Sequence, residues 1–200
     1  MFIRSVKLRN SINGRVMREV VFHKGANLIV DAYESDRHNK VGKTTFLKLI
    51  DVLLGANGKD RLYKDDETNS VNEELRDIIK EKRVVGEMTL VNSFERPSSQ
   101  NVELKVELFP RGKYFFEGEK VSAKRYRELL GETLFAVNSN KPTFRQLIKS
   151  FVRISLSGDD YSFLRTLTSA SIADYRAVYN YLFDISDSEL DARLAELNRE

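Results

Sequence analysis

Hydrophobic and polar positions alternate most regularly in the middle of the chain. From Val102 to Leu108 every second residue is aliphatic and the residues between are charged, which is the period of a strand with one buried face. The run 86–96 before it and the turn dipeptides after it predict partner strands. We therefore expect an antiparallel β meander over residues 84–118.

The amino-terminal third predicts strands followed by a helix. Apolar and basic residues alternate over residues 2–9, and Val20–His23 is a second short apolar run. Asn27–Ala32 contains three consecutive aliphatic residues, the pattern of a strand buried on both faces. A polar loop follows, and from Lys43 to Leu54 the apolar residues recur at helical spacing. The order is strand, loop and helix.

Helical periodicity dominates the rest of the chain. It predicts helices over residues 71–83, 122–130, 143–154 and 171–183. Ser186 and Glu189 then form a capping-box pattern, and leucines follow at spacings of four and three. This spacing predicts the start of a coiled coil over residues 186–200, and because the pattern is still running at Glu200 we expect it to continue beyond.

Composition fits a folded protein without disulfides. Hydrophobic residues make up 41% of the 200 residues and charged residues 32%, which is enough apolar material for a core. There is no cysteine and there are two histidines, so the sequence offers no thiolate or multi-histidine metal site. No apolar run approaches the ~20 residues of a membrane span, and the amino terminus is too polar for a signal peptide. We expect a cytoplasmic protein without a membrane partner.

The segment with the clearest chemistry is Asn39–Thr45, which has the sequence Asn-Lys-Val-Gly-Lys-Thr-Thr. Binding a polyphosphate requires backbone N–H groups that point inward, a positive charge near the β and γ oxygens, and a hydroxyl on Mg²⁺. Gly42 allows close backbone approach, Lys43 supplies the charge, and Thr44 is the predicted Mg²⁺ ligand. The amino terminus of the following helix adds a partial positive charge.

The match to the phosphate-loop pattern G-x-x-x-x-G-K-[ST] is incomplete. Arg37 occupies the position of the first glycine, and Lys40 also replaces a glycine of related loops. Either substitution restricts the loop or adds charge to a phosphate site. The alternative interpretation is an ordinary turn between a strand and a helix with a surface lysine, and His38 is interpreted as a solvated loop residue.

The loop and the helix after it resemble the Walker A segment of ABC-type ATPases of the SMC, RecF and RecN group. The matching residues are Asn39, Gly42, Lys43, Thr44 and Thr45. The amino-terminal position of the loop and the basic first strand also resemble this group. The resemblance implies an α/β fold, a P-loop NTPase head of the ABC type. The cofactors that it implies are ATP and Mg²⁺, held by the loop from Asn39, Lys40 and Val41 through Thr45.

Three further segments resemble a family of poorly characterised bacterial coiled-coil ATPases with a split head. They are Tyr114–Phe135, Pro142–Arg153 and Tyr175–Leu197. The implied organisation is the amino-terminal part of a head over residues 1–185, then the coiled coil. Within the head, the phosphate loop lies at 37–45, the β meander at 84–118 and the helical subdomain at 122–185.

The resemblance also implies partners and an activity. The catalytic base and signature motif of the group lie after the coiled coil, so hydrolysis requires the carboxy-terminal half of the same head and a second head as a homodimer. Gln146 is the nearest candidate, by position, for the glutamine that contacts Mg²⁺, although its predicted place within a helix equally fits a surface residue. The resemblance implies that the protein acts on DNA, in repair, maintenance or phage defence. It also implies an accessory protein as a further partner.

Other interpretations remain open from the sequence. Arg4, Lys7 and Arg9 are either DNA contacts or the solvated face of a strand. The chain is alternatively a non-catalytic regulatory or scaffold module, with a degenerate loop, that binds a protein partner. A small P-loop kinase or GTPase is disfavoured by the β meander, and Asn140-Lys141-Pro142-Thr143 lacks the aspartate of a guanine-reading motif.

Overall fold

The computed structural model of the chain describes residues 1–30, 42–65, 68–95, 101–137, 142–152 and 171–185. The chain divides into two compact units, Met1–Leu130 and Gly131–Glu200, and the division falls inside one helix. The predicted coiled coil at 186–200 lies outside the described residues, so its place in the fold stays a prediction.

The first unit contains a mixed α/β arrangement around an antiparallel sheet. Within the described residues six strands lie in the order β2-β1-β3-β4-β5-β6, with every neighbouring pair antiparallel. Their bounds are β1 Phe2–Asn10, β2 Val16–Val21, β3 Val84–Val91, β4 Val102–Glu107, β5 Tyr114–Phe116 and β6 Glu119–Val121. The meander expected over residues 84–118 is present as β3, β4 and β5.

Helices connect the strands and follow them. They are α1 Lys43–Leu53, a 3₁₀ helix Lys59–Leu62, α2 Glu73–Glu81, α3 Ala123–Phe135, α4 Phe144–Ile148 and α5 Ile172–Leu182. The side chain of Asn72 caps α2 by accepting a hydrogen bond from the Leu75 N–H at 3.0 Å. None of the helices in the described ranges is long and apolar enough to cross a membrane.

Helix α1 packs directly on the sheet where β3 has a glycine. A Cβ atom built on Gly86 would lie 3.2 Å from Leu53 Cδ2 and 3.3 Å from Leu49 Cδ1, which is tighter than ordinary van der Waals contact. The absence of a side chain at Gly86 therefore allows α1 to approach the strand closely. Around this contact lie the most deeply buried aliphatic side chains, among them Val6, Leu53, Met88, Leu104, Val106 and Leu130.

Three polar contacts fix the second half of α1. The fully buried Tyr126 of α3 donates its hydroxyl hydrogen to the carbonyl of Leu53 at 2.7 Å. The buried Lys48 donates to the carbonyl of Lys64 at 2.8 Å, and Arg61 donates to the buried carboxylate of Asp51 at 3.2 Å. Because buried polar groups are costly unless they are paired, these contacts hold α1 in one position.

A lysine ties the 3₁₀ helix to the turn between β4 and β5. Lys59 Nζ donates to the carbonyls of Glu107 at 2.8 Å and Gly112 at 2.7 Å. It also lies 4.4 Å from the ring centroid of Tyr114, which packs on Tyr126. Burial lowers the pKa of Lys59 from 10.5 to about 8, with Lys113 contributing repulsion.

In the second unit two capping boxes are joined by one hydrogen bond. Thr143 and Gln146 cap α4 reciprocally, and Ser171 and Asp174 cap α5 in the same way. Gln146 Nε2 donates to Asp174 Oδ1 at 3.1 Å, which links the two boxes. Beneath them Val137, Leu147 and Val178 form a small apolar cluster.

Two expectations about regular structure were wrong. Asn27–Val30, the described part of the strand predicted at Asn27–Ala32, is irregular and exposed, because no strand among the described residues supplies hydrogen bonds to it. The α-helix predicted over 143–154 ends at Ile148, and the chain continues to Val152 in turns, in which the Phe151 and Val152 N–H groups donate to the Ile148 carbonyl at 2.9 Å. Residues 153 and 154 lie outside the described part of the chain.

The Tyr126 contact predicts a stability change. Tyr126→Phe leaves the buried Leu53 carbonyl without its donor, so we expect the free energy of unfolding to fall by about 1 to 3 kcal/mol. Urea unfolding followed by circular dichroism measures it. Tyr114→Phe is the matched control, because it removes a hydroxyl from the adjoining ring and should change stability much less. Equal losses in both variants would contradict the role assigned to the hydrogen bond.

The lowered pKa of Lys59 predicts a pH dependence of stability. Between about pH 8 and the ordinary value of 10.5 the unfolded chain binds a proton at Lys59 that the folded chain does not, so stability increases as the pH rises through 8. Tyr126 and Tyr114 have raised pKa values and oppose this above about pH 10. Unfolding between about pH 7.5 and 9.5 should show the rise in the wild type and not in Lys59→Met. A wild-type stability that does not change over this pH range would contradict the role assigned to Lys59.

Candidate functional site

The amino terminus of α1 begins at a glycine in a left-handed conformation. Gly42 has φ 76° and ψ 16°, and its carbonyl accepts the first helical hydrogen bond from the Phe46 N–H at 2.8 Å. This region of backbone space favours glycine, since a Cβ atom there clashes with the following peptide. The sequence-based expectation that Gly42 allows close approach of the backbone to a phosphate stays a prediction.

A left-handed residue followed by a helical one turns successive N–H groups in the same direction. Such a pair forms a concavity that binds anions, and the amino terminus of α1 adds its partial positive charge. Within the described residues no side chain caps α1, and its first turn contains no acidic residue. A Cβ atom built on Gly42 meets nothing within 4 Å, so the described surroundings leave space in front of this turn.

The side chains that follow Gly42 have the chemistry of a phosphate and Mg²⁺ site. Lys43 and Thr44 are exposed, and Thr45 is half-buried. Phe46 is half-buried, and its ring lies 6.5 Å from the Phe22 ring that follows β2. The helix residues from Lys48 to Leu53 are buried. Lys43 and Thr44 are therefore exposed at one end of a helix whose other end is fixed.

Several predicted site residues lie outside the described part of the chain. These are Asn39, Lys40 and Val41, together with Arg37 and His38. Their assignment to the phosphate loop stays a prediction. Gln146 is described, and its side-chain oxygen accepts from the Thr143 N–H at 2.8 Å while its amide donates to Asp174. In this arrangement Gln146 caps α4, and its assignment to Mg²⁺ also stays a prediction.

The three basic residues considered as DNA contacts are occupied within the sheet. Lys7 pairs with Glu19 at 3.2 Å across β1 and β2. Arg9 makes two hydrogen bonds to the carboxylate of Glu87 at 3.1 and 3.2 Å. Arg4 lies 5.5 Å from the ring centroid of Phe94. Two of the three cations are thus neutralised by neighbours, which favours the solvated-face interpretation for Lys7 and Arg9.

An apolar surface lies beside α1 at the start of β1. We define it by Phe2, Leu28 and Val30, which are 55, 85 and 76% exposed. A cavity of about 760 Å³ opens here, with walls that include Phe2, Phe22, Asn27, Ile50 and Phe94. Sequence reasoning identified the aliphatic run at 28–30 but placed it in the interior. Exposed apolar groups of this kind are typical of surfaces that contact other molecules.

Comparisons with known proteins support the fold. The sequence matches no protein-family model and no curated protein. The structure is similar to a solved chain from work on ATP-driven dimerization and DNA-stimulated activation of SMC ATPases. The TM-score is 0.51 at 16% sequence identity, and the match covers 91% of this chain and 99% of that one. The chain therefore shares a mixed α/β fold with an SMC ATPase structure.

The left-handed glycine predicts a site-specific effect. Gly42→Val forces a β-branched residue into φ 76°, at a cost of about 1 to 2 kcal/mol, and displaces the N–H groups of the turn. Gly14→Val is a matched control, because Gly14 has φ 71° in the turn between β1 and β2 and equally open surroundings. Both variants should lose similar stability in thermal unfolding, but only Gly42→Val should weaken binding of a fluorescent ATP analogue. Equal binding by both would contradict the assigned site.

Proposed function

We propose that the chain is the amino-terminal part of an ATP-binding head of the SMC type, an ABC-type P-loop NTPase. The observation that carries the proposal is the left-handed Gly42 at the start of a firmly anchored helix, followed directly by Lys43 and Thr44. Backbone N–H groups, an ammonium and a hydroxyl are the groups that a Mg²⁺-bound triphosphate requires. The similarity to an SMC ATPase structure supports the same fold independently of the motif.

In the proposed complex each group has a separate role. Lys43 supplies positive charge to the β- and γ-phosphates, and Thr44 ligates Mg²⁺. The loop Asn39–Val41 and Thr45 complete the enclosure of the phosphates. Gln146 would ligate Mg²⁺ only after its side-chain oxygen releases the hydrogen bond from the Thr143 N–H. ATP binding in this description depends on positioning and charge, so it requires no catalytic carboxylate from the described residues.

The apolar surface beside α1 is the proposed docking site for the carboxy-terminal half of the head. Leu28 and Val30 belong to a run of aliphatic residues that is typical of a strand buried on both faces, yet they are largely exposed. A partner strand would hydrogen-bond to this segment and cover Phe2, which lines the same cavity as Asn27. Covering these side chains contributes roughly 25 cal/mol for each Å² of apolar surface removed from water.

ATP hydrolysis is proposed to require that second half and a second head. In the group that the loop resembles, the signature motif and the Walker B carboxylate lie in the carboxy-terminal half of the head. ATP would then hold two heads together, and hydrolysis would release them. The setting that we propose is DNA repair, maintenance or phage defence, and the alternative function is a scaffold module whose degenerate loop binds no nucleotide.

Nucleotide binding tests the proposal directly. The wild-type chain should bind a fluorescent ATP analogue in the presence of Mg²⁺, and Lys43→Ala should weaken binding by at least about tenfold because a charge-assisted contact is worth roughly 1.5 to 3 kcal/mol. Lys80→Ala, which removes an exposed lysine from α2, is the control and should bind as the wild type does. A wild type that binds no nucleotide would reject the ATPase proposal in favour of the scaffold module.

A further inference from the structure

The face of the sheet opposite α1 has a row of cross-strand neighbours, one from each strand. In sheet order they are Glu19, Lys7, Glu87, Lys105, Phe115 and Lys120. Neighbouring strands lie about 4.8 Å apart, so the row crosses the whole sheet in a nearly straight line. Charge along this row is therefore set by the register of five strand pairs and not by the order of residues along the chain.

The two halves of this row differ in charge. Glu19 pairs with Lys7 at 3.2 Å, and Glu87 is engaged by Arg9. The half formed by β4, β5 and β6 has two exposed lysines on either side of a half-buried phenylalanine. Lys105 Nζ lies over the Phe115 ring, 5.1 Å from its centroid, which is within the range of a cation–π contact.

Neighbouring residues increase the positive charge of this half. Lys113, two positions before Phe115 on the same strand face, is exposed, and Arg111 is exposed in the preceding turn. Of the carboxylates on the face, Glu107 accepts a hydrogen bond from the Lys113 N–H at 2.7 Å, and Glu103 is exposed at the margin. Both carboxylates keep their charge, and the four cations Lys105, Arg111, Lys113 and Lys120 exceed them by two.

The segment that contains this surface has a small excess of basic residues. Between Glu103 and Glu128 the sequence has seven lysine and arginine residues and five glutamates, an excess of two positive charges. Lys124 and Arg125 pair with Glu128 within α3. The cations of the surface are therefore brought together by strand register, and clustered cations are what bind a polyanion.

We infer that the basic surface formed by Lys105, Lys113, Phe115 and Lys120 binds the phosphate backbone of DNA. Lys105 and Lys120 are two strand spacings apart, about 10 Å, which allows their long side chains to contact different phosphates. Phe115 between them holds the Lys105 ammonium over its ring. The inference rests on the proposed function for the identity of the polymer, but the contact itself requires no nucleotide.

Two double variants that lose the same amount of positive charge test the surface. Lys105→Gln with Lys120→Gln removes two charges from the surface, and Lys80→Gln with Lys82→Gln removes two exposed charges from the end of α2. Binding of fluorescein-labelled duplex and single-stranded DNA is measured by anisotropy between about 50 and 200 mM salt. The first variant should lose about tenfold or more in affinity, and its salt slope should fall by about two.

The outcome for the control decides the inference. Near-wild-type DNA affinity in the α2 variant, with loss in the surface variant, supports a localised site. Equal losses of DNA affinity in the two variants would show an effect of net charge alone and would overturn the inference. Unchanged DNA binding in both variants would also overturn it. Thermal unfolding of each variant confirms that the fold is retained, because all four lysines are exposed.

A Lys43→Ala arm separates this inference from the proposed function. We expect that variant to lose ATP binding and to retain DNA binding in the absence of nucleotide. If it retains ATP binding, the proposed nucleotide site is wrong while the DNA surface stands on its own result. If the surface variant binds DNA normally, the DNA surface is wrong while nucleotide binding remains supported.

Discussion

The seating of α1 on the sheet is the constraint on which the rest of the structure depends. Gly86 allows the helix to approach β3 closely, and the Tyr126 hydroxyl bonds the carbonyl of Leu53 at the far end of the helix. Lys48 and Asp51 bind the segment that follows the helix. With its second half fixed in this way, α1 presents its amino terminus and the left-handed Gly42 in one defined place. The proposed phosphate site is thus built from a rigid element rather than from a loop alone.

The two faces of the sheet in the first unit expose different kinds of side chain. On the α1 side, aliphatic residues near positions 28–30 are exposed beside a cavity, which fits the proposed docking surface. On the opposite side, ion pairs neutralise one half of a cross-strand row and lysines occupy the other half. The proposed sites for nucleotide, for the second half of the head and for DNA therefore occupy separate surfaces. Each of the three can be altered by substitutions that leave the other two in place.

The sequence predicted the parts of this fold that depend on local patterns. The alternation from Val102 to Leu108 specified a strand with one buried face, and Gly42 before a helical pattern specified the turn at the candidate site. It did not predict the row of Lys105, Phe115 and Lys120, because that row depends on strand register across two turns. The aliphatic run at 28–30 was misplaced for a related reason, since a strand requires a partner that the local sequence does not specify.

The most direct measurement of the nucleotide site is a structure of the chain with a non-hydrolysable ATP analogue and Mg²⁺. We expect the β- and γ-phosphates at the amino terminus of α1, within hydrogen-bonding distance of the Gly42 and Lys43 N–H groups. The Lys43 ammonium should lie against the phosphate oxygens and the Thr44 hydroxyl on the metal. An analogue bound elsewhere on the chain, or a Lys43 side chain directed away from the phosphates, would contradict the proposed site.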